Sequence, residues 1–173
     1  KTVFDKSNNG TMTPGNSTSL TDGAAAVLLS SEEWARSNDL NIKAFLSHIE
    51  IAAIDYINDE GLLMAPAYAV SNMLKKANLS LQDFDFYEIH EAFAAQTLAT
   101  LKVWESDEFC RSKLNRESAM GSIDSAKINV KGGSLAIGHP FAATGARIVG
   151  TMAKLLNEKG SGRGLISICT AGG

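Results

Sequence analysis

Short apolar runs alternate with amphipathic helical patterns along this chain, and a domain patterned in this way folds as helices packed on a sheet. The clearest helix runs from Ala143 to Glu158. Val149, Met152, Ala153 and Leu156 form its apolar stripe, and Gly160 supplies the stop. Leu165–Ile168 follows as a buried strand. Upstream, Met64-Ala65-Pro66 opens a helix with proline in its first turn. That helix carries Ala67, Val70, Met73 and Leu74 on one face and ends near Lys75-Lys76, where cations suit the helix dipole. Ser80–Asp83 is a turn, Phe84–Ile89 a strand, Ala92 to about Trp104 a second amphipathic helix, and Lys127–Val130 a brief strand. Nearer the start, Ala24–Leu29 reads as a buried strand, its three alanines leaving helix open, and Ala44–Ala53 as a long strand with period-2 alternation. Between them, Ser30 with Glu33 signals a capping box for a helix over Ser31–Arg36. Residues 7–19 are small and polar, a structured loop or a linker, and Glu105–Lys127, polar and aperiodic, is expected to be a surface excursion. The expected class is α/β, a layered sheet with helices on its faces.

A chain of 173 residues has length for one ordinary domain. Its charge, 16 basic against 19 acidic residues, offers no electrostatic footprint for nucleic acid. No run of about 18 apolar residues is present to span a membrane, and the first residues lack the apolar stretch of a signal peptide, so a cytoplasmic or organelle-matrix protein is expected. Two cysteines, Cys110 and Cys169, cannot build a disulfide framework or a cysteine-rich zinc site. The 15 glycines are clustered, in 132–150 and again in 160–173, which points to backbone brought close to a ligand or into tight turns.

Three reactive side chains lie just beyond expected strands: His90, His139 and Cys169. In open α/β sheets ligands bind outside the carboxyl ends of the strands, so the three are expected to converge. His139, in Gly138-His139-Pro140, sits in a loop stiffened on both sides; it is a candidate general base or oxyanion donor, the alternative being a histidine that caps its own loop. Cys169 is a candidate nucleophile or acid–base if a histidine lies near it, and otherwise an inert buried thiol. His90-Glu91-Ala92-Phe93-Ala94 opens like a zinc-protease helix, but Ala94 stands where the second ligand belongs, and no metal site is expected. Glu91 can orient a neighbour, His48 is expected to be structural or surface-facing, and Cys110 a bystander.

Taken in order, His90-Glu91-Ala92-Phe93-Ala94, Asn129 through Gly133 to Gly138-His139-Pro140, Ala143-Thr144-Gly145-Ala146-Arg147, and Cys169-Thr170-Ala171-Gly172-Gly173 resemble the C-terminal half of thiolases. The loop from Thr11 to Ala24 looks like the thiolase segment that contacts coenzyme A. Histidine at position 90, where most thiolases carry asparagine, together with the insert after the next helix, resembles the 3-ketoacyl-CoA thiolases of β-oxidation complexes. The resemblance implies a thiolase-like fold with a layered mixed sheet. It places residues 1–36 with the N-terminal thiolase domain and 37–173 in the C-terminal one, cut before its final strand.

It further implies cleavage of 3-ketoacyl-CoA by coenzyme A to acetyl-CoA and a shortened acyl-CoA, or the reverse condensation. In that scheme His139 activates the nucleophilic thiol, Cys169 exchanges a proton with the coenzyme A sulfur or the acetyl α-carbon, and His90 serves the thioester oxyanion. Ala171 contributes only its backbone N–H to a second oxyanion site, while Ser17, Thr18, Ser19 and Phe93 line the pantetheine channel. Coenzyme A is substrate, with no permanently bound cofactor. The partners implied are the N-terminal half of the same polypeptide, a second copy in a homo-oligomer, and the hydratase/dehydrogenase subunit of a β-oxidation complex. Besides the missing final strand, the resemblance departs at the nucleophile: the second, nucleophilic cysteine belongs to the N-terminal half, and Cys110 matches no such motif, so the chain alone is expected to be inactive. A cysteine-dependent thioester hydrolase and a non-catalytic acyl-CoA-binding or partner-binding domain are the competing readings.

Overall fold

A computed structural model describes residues 1–58 and 61–171. Its centre is a parallel pair, β1 (Phe86–Ile89) and β2 (Gly164–Ser167), with Tyr87 opposite Leu165 and Ile89 opposite Ser167. The pleat divides their side chains between two layers. Tyr87, Ile89 and Leu165 join the main core with Val70 and Leu74 of α2 (Ala65–Ala77), Trp104 of α3 (Ala94–Trp104) and Cys110 of α4 (Asp107–Ser112). On the other face lies α6 (Phe141–Lys159), packed so closely that a Cβ on Gly164 would run into Met152. The helices therefore cover both faces of an α/β core. Two shorter helices are α1 (Glu32–Ser37) and α5 (Ser134–Ile137). Among the described residues no helix is long and apolar enough to cross a membrane.

Local signals account for several helix ends. Ser31 caps α1, its Oγ accepting from Trp34 N at 3.2 Å, one residue later than the Ser30 capping box expected. Proline opens α2, and Asn78 closes it in the left-handed conformation at φ 52°. Gly160 ends α6 in the same way. The buried stripe of α6 is Ile148, Met152 and Leu155, with Val149, Ala153 and Leu156 half-buried; the stripe is rotated by about one residue from the periodicity reading. The tight approach of α6 to Gly164 decides that rotation.

Three expected strands do not form. Residues 24–29 and 44–53 carry no backbone ladder, and Leu28, Leu29, Phe45, Leu46, Ile49 and Ile51 are exposed. Alternation gives a segment two faces but no neighbour, and a strand exists only where another strand takes its backbone bonds. Lys127–Val130 contributes one bridge, Ile128 to Tyr87, because Ser125–Lys127 form a 3-10 turn and Asn129 adopts the left-handed region at φ 47°.

The Glu105–Lys127 segment is no surface excursion either. Cys110, Leu114 and Met120 are buried in the main core, and Cys110 has no exposure at all. Side chains from elsewhere hold its backbone, Lys75 Nζ donating to Leu114 O at 2.7 Å and Gln82 Nε2 to Met120 O at 3.1 Å, and its own Arg116 donates through Nε to Ser71 Oγ at 2.8 Å. These clamps are long-range, so the segment has no periodicity to read.

Candidate active site

His90 directly follows β1, and its backbone N–H continues the ladder by donating to Ser167 O at 2.9 Å. Two residues beyond that carbonyl, at the end of β2, stands Cys169. His139 reaches the same place by another route. Asn129, in its left-handed turn, spans the open edge of β1: its amide oxygen accepts from Ile89 N at 2.8 Å, and its amide nitrogen donates to Ile89 O and to Glu91 Oε1. The other oxygen of Glu91 accepts from Leu135 N at 3.1 Å, in the first turn of α5. Only glycine fits at 133, because a Cβ there would collide with the Glu91 carboxylate. The loop leaving α5 then lays the His139 ring against His90, with ring centroids 4.1 Å apart. The expected convergence of strand-end side chains is thus realised for the two histidines, with Cys169 on the neighbouring strand end.

Each imidazole is anchored at Nδ1. His139 Nδ1 lies 2.6 Å from Thr144 Oγ1, and His90 Nδ1 lies 2.8 Å from Ser134 Oγ. The Thr144 hydroxyl is directed to Pro140 O at 3.3 Å, so its oxygen accepts from His139 Nδ1–H; this assignment from the hydrogen-bond network leaves His139 Nε2 with a free lone pair. Phe141 packs on the His139 ring at a centroid distance of 4.7 Å.

Burial dominates the electrostatics. It pushes His90 down to about 4, helped by His139 and Arg147, and lowers His139 in the same sense, with Arg147 adding to it. Both rings are therefore neutral at pH 7. Burial pushes the Cys169 thiol up to about 11, and the thiol packs against Leu63, Ala92 and Phe93 with Gln96 Oε1 at 3.6 Å. Cys169 is consequently a thiol at rest, not the histidine-activated thiolate that proximity alone would suggest.

The loop over residues 13–20 closes one side. Thr18 N donates to Ala92 O at 3.0 Å, Thr18 Oγ1 to Ser134 O at 2.8 Å, and Ser19 O accepts from His139 N at 2.8 Å. Ser17 bridges to Phe93, and its hydroxyl donates to Thr13 O. The hydroxyls of Ser17 and Thr18 thus hold the loop itself, while Ser19 is exposed and Phe93 half-buried beside Cys169. Ala171 is exposed, and Gly172-Gly173 lie outside the described residues. His48 is exposed, within the unpaired segment 44–53.

Residue patterns alone assigned no role to Ser134, Thr144, Arg147, Asn129 or Glu88. A signal existed for two of them. Glu88 is a carboxylate inside an apolar strand, and Arg147 is a cation next to Ile148 on the buried side of α6. Burial pushes Glu88 up to about 7 against the opposing pull of Arg147.

A parallel strand pair covered by helices thus carries two histidines and a cysteine at its carboxyl ends. Residues 40–173 match the family profile described as the thiolase C-terminal domain, and the chain belongs to the thiolase family. Within that family it is similar to enzymes named 3-ketoacyl-CoA thiolase: 48% identical over 171 residues to the one from Pseudoalteromonas atlantica and 49% to the one from Pectobacterium atrosepticum, covering 99% of this chain and 38% of each relative. Among solved structures, the Bacillus anthracis acetyl-CoA acetyltransferase superposes with a TM-score of 0.78 at 34% identity, covering 100% of this chain and 38% of that one. Human mitochondrial 3-ketoacyl-CoA thiolase in complex with CoA does so at 0.75 and 33%, covering 99% and 38%. The chain therefore spans less than two fifths of the length of the curated relatives it matches.

Proposed function

We propose that the protein carrying this chain transfers acyl groups between coenzyme A thioesters, cleaving a 3-ketoacyl-CoA with coenzyme A to acetyl-CoA and a shortened acyl-CoA. The observation that carries this reading is the pair of neutral, touching imidazoles, each held at Nδ1, beside a protonated thiol at the adjacent strand end. That set stabilises an oxyanion and moves a proton, which are the two requirements of a carbon–carbon cleavage next to a thioester. The acyl-holding thiolate comes from outside this chain, since Cys110 is sealed in the core.

In this scheme His139 Nε2 takes the proton of that nucleophilic thiol, and the thiolate adds to the C3 carbonyl. The C2–C3 bond then breaks with its electron pair going to C2. His90 donates a ring N–H to the resulting enolate oxygen of acetyl-CoA, and Cys169 gives its proton to C2. The Cys169 thiolate next takes the proton of coenzyme A, whose sulfur attacks the acyl thioester and releases the nucleophilic thiolate. A thiol pushed up to about 11 suits this order: it is a full proton donor first and a strong base afterwards. The backbone N–H of Ala171 and the residue 17–19 loop with Phe93 are proposed to serve the second oxyanion and the pantetheine arm.

We also infer residues 1–36 as the end of an N-terminal domain and 37–173 as the C-terminal one, a homo-oligomeric assembly, a place beside a hydratase/dehydrogenase partner in fatty-acid breakdown, and a cytoplasmic or mitochondrial-matrix setting. The test is thiolysis of a 3-ketoacyl-CoA by the full-length protein, followed at the enolate absorbance of the substrate. His139→Ala and Cys169→Ala should each lower kcat by about 100-fold or more, and the 173-residue chain alone should show no turnover. Near-normal rates in both variants would overturn the reading.

A further inference from the structure

Behind His90 lies a buried polar chain that the acyl-transfer scheme leaves unused. Ser134, 1% exposed at the start of α5, places its Oγ 2.8 Å from His90 Nδ1 and accepts there from Arg147 Nη2 at 3.0 Å. A hydroxyl has one proton and two lone pairs, and a guanidinium only donates. With Arg147 on a lone pair, the Ser134 proton is free for His90 Nδ1, and among the described residues no other acceptor contacts that hydroxyl. His90 then carries its own proton on Nε2.

The guanidinium itself is arranged for this contact and for little else. Arg147 Nε and Nη1 are buried without a hydrogen-bond partner among the described residues, and so is Oε1 of Glu88 on the strand face below. Two buried guanidinium nitrogens without a described partner are costly as a purely structural device, because only one nitrogen of the group donates a described bond. Directing Ser134 gives that cost a purpose.

We propose that Arg147 is a positioning residue: acting through Ser134, it ties His90 to the tautomer protonated at Nε2, so that the ring presents an N–H and not a lone pair to a developing oxyanion. The functional half of this statement rests on the proposed acyl transfer; the tautomer itself does not. Losing the correct tautomer would remove one oxyanion donor, a change of about 100-fold in kcat at most sites of this kind.

The test has two arms. In the first, the chain is labelled with 15N-histidine and its three histidines are followed by NMR at about pH 7.5, with His48→Ala used for assignment. His90 should show a protonated Nε2 and a hydrogen-bonded, unprotonated Nδ1. Ser134→Ala and Arg147→Met should each shift the His90 Nδ1 resonance, while His139, anchored by Thr144, keeps its pattern. Arg147→Lys, whose ammonium can still donate to Ser134, should restore the signal. A proton on His90 Nδ1 in the unaltered chain overturns the proposal, as does a His90 spectrum indifferent to Arg147→Met. If Arg147→Met does not fold, the unaltered spectrum and Ser134→Ala decide. In the second arm, the full-length protein with Arg147→Met should lose about tenfold or more in kcat with KM within about twofold. Absence of thiolysis in the unaltered protein would refute the functional reading and leave the His90 tautomer, as read by NMR, unaffected.

Discussion

Gly138 immediately precedes His139 and sits at φ 98°, ψ 177°, a backbone region that essentially only glycine enters. Replacing it by alanine should test how far the site depends on that one conformation. Backbone strain there costs about 1–3 kcal/mol. The new Cβ would also lie 2.6 Å from Thr21 Cγ2, and the exposed Thr21 can rotate away at a further cost of about 1 kcal/mol. A total near 2–4 kcal/mol corresponds to a fall in Tm of about 5–15 °C for a chain of this size. The control is Gly150→Ala, in the middle of α6, where a Cβ would meet Val27 Cγ2 at an ordinary 3.8 Å. There the same chemical change should stabilise by about 0.4–1 kcal/mol, because alanine has less backbone freedom to lose. Urea unfolding of both variants at constant m value measures the difference. Because His139 N bonds to Ser19 O at 2.8 Å, Gly138→Ala should also displace the ring and lower kcat in the full-length protein. A Gly138→Ala variant within about 0.5 kcal/mol of the parent, or a Gly150→Ala variant as damaged as Gly138→Ala, would refute the reasoning.

Thr144→Val keeps the side-chain shape and removes the acceptor of His139 Nδ1–H; kcat should fall about 10- to 100-fold with KM little changed, measured by steady-state thiolysis. The pH dependence of stability should be flatter than either buried group alone would make it. His90, lowered from 6.5 to about 4, binds fewer protons folded than unfolded in that window, so it costs about 3 kcal/mol progressively as pH falls from 6.5 to 4. Glu88, raised from 4.5 to about 7, binds more protons folded and returns a similar amount over nearly the same fall. Glu88→Gln should therefore expose a steep acid destabilisation below about pH 6.5 in urea titrations, and an unchanged profile would contradict the opposition. Cys169, raised from 9.0 to about 11, should react with iodoacetamide at about pH 7.5 on the order of 100-fold more slowly than free cysteine, read by mass spectrometry of the intact chain.

Much of the molecule was legible where the physics is local. The helices announced themselves through Pro66, the Lys75-Lys76 end and Gly160, and β1 and β2 through short apolar runs followed by His90 and Cys169. The residues 24–29 and 44–53 carried equally good strand patterns and formed none, because a ladder needs a neighbour that no local pattern encodes. Cys110 looked like a surface bystander among Asp107, Glu108 and Arg111, yet α4 turns it into the core while those charges face water.

The order of motifs along the chain was sufficient to mark His90, His139 and Cys169 and to place the protein among thiolases, since side chains at strand ends and glycine-flanked loops follow from sequence position. How firmly they hold their protons was set by the tertiary structure. Burial deepened the preference of both histidines for the neutral ring and of Cys169 for the thiol, and contacts with Ser134 and Thr144, which are 44 and 5 positions away from the rings they hold, fixed the imidazoles. Charge state depends on solvent exclusion and on neighbours brought together by folding, and neither is a property of a residue in its own stretch of chain.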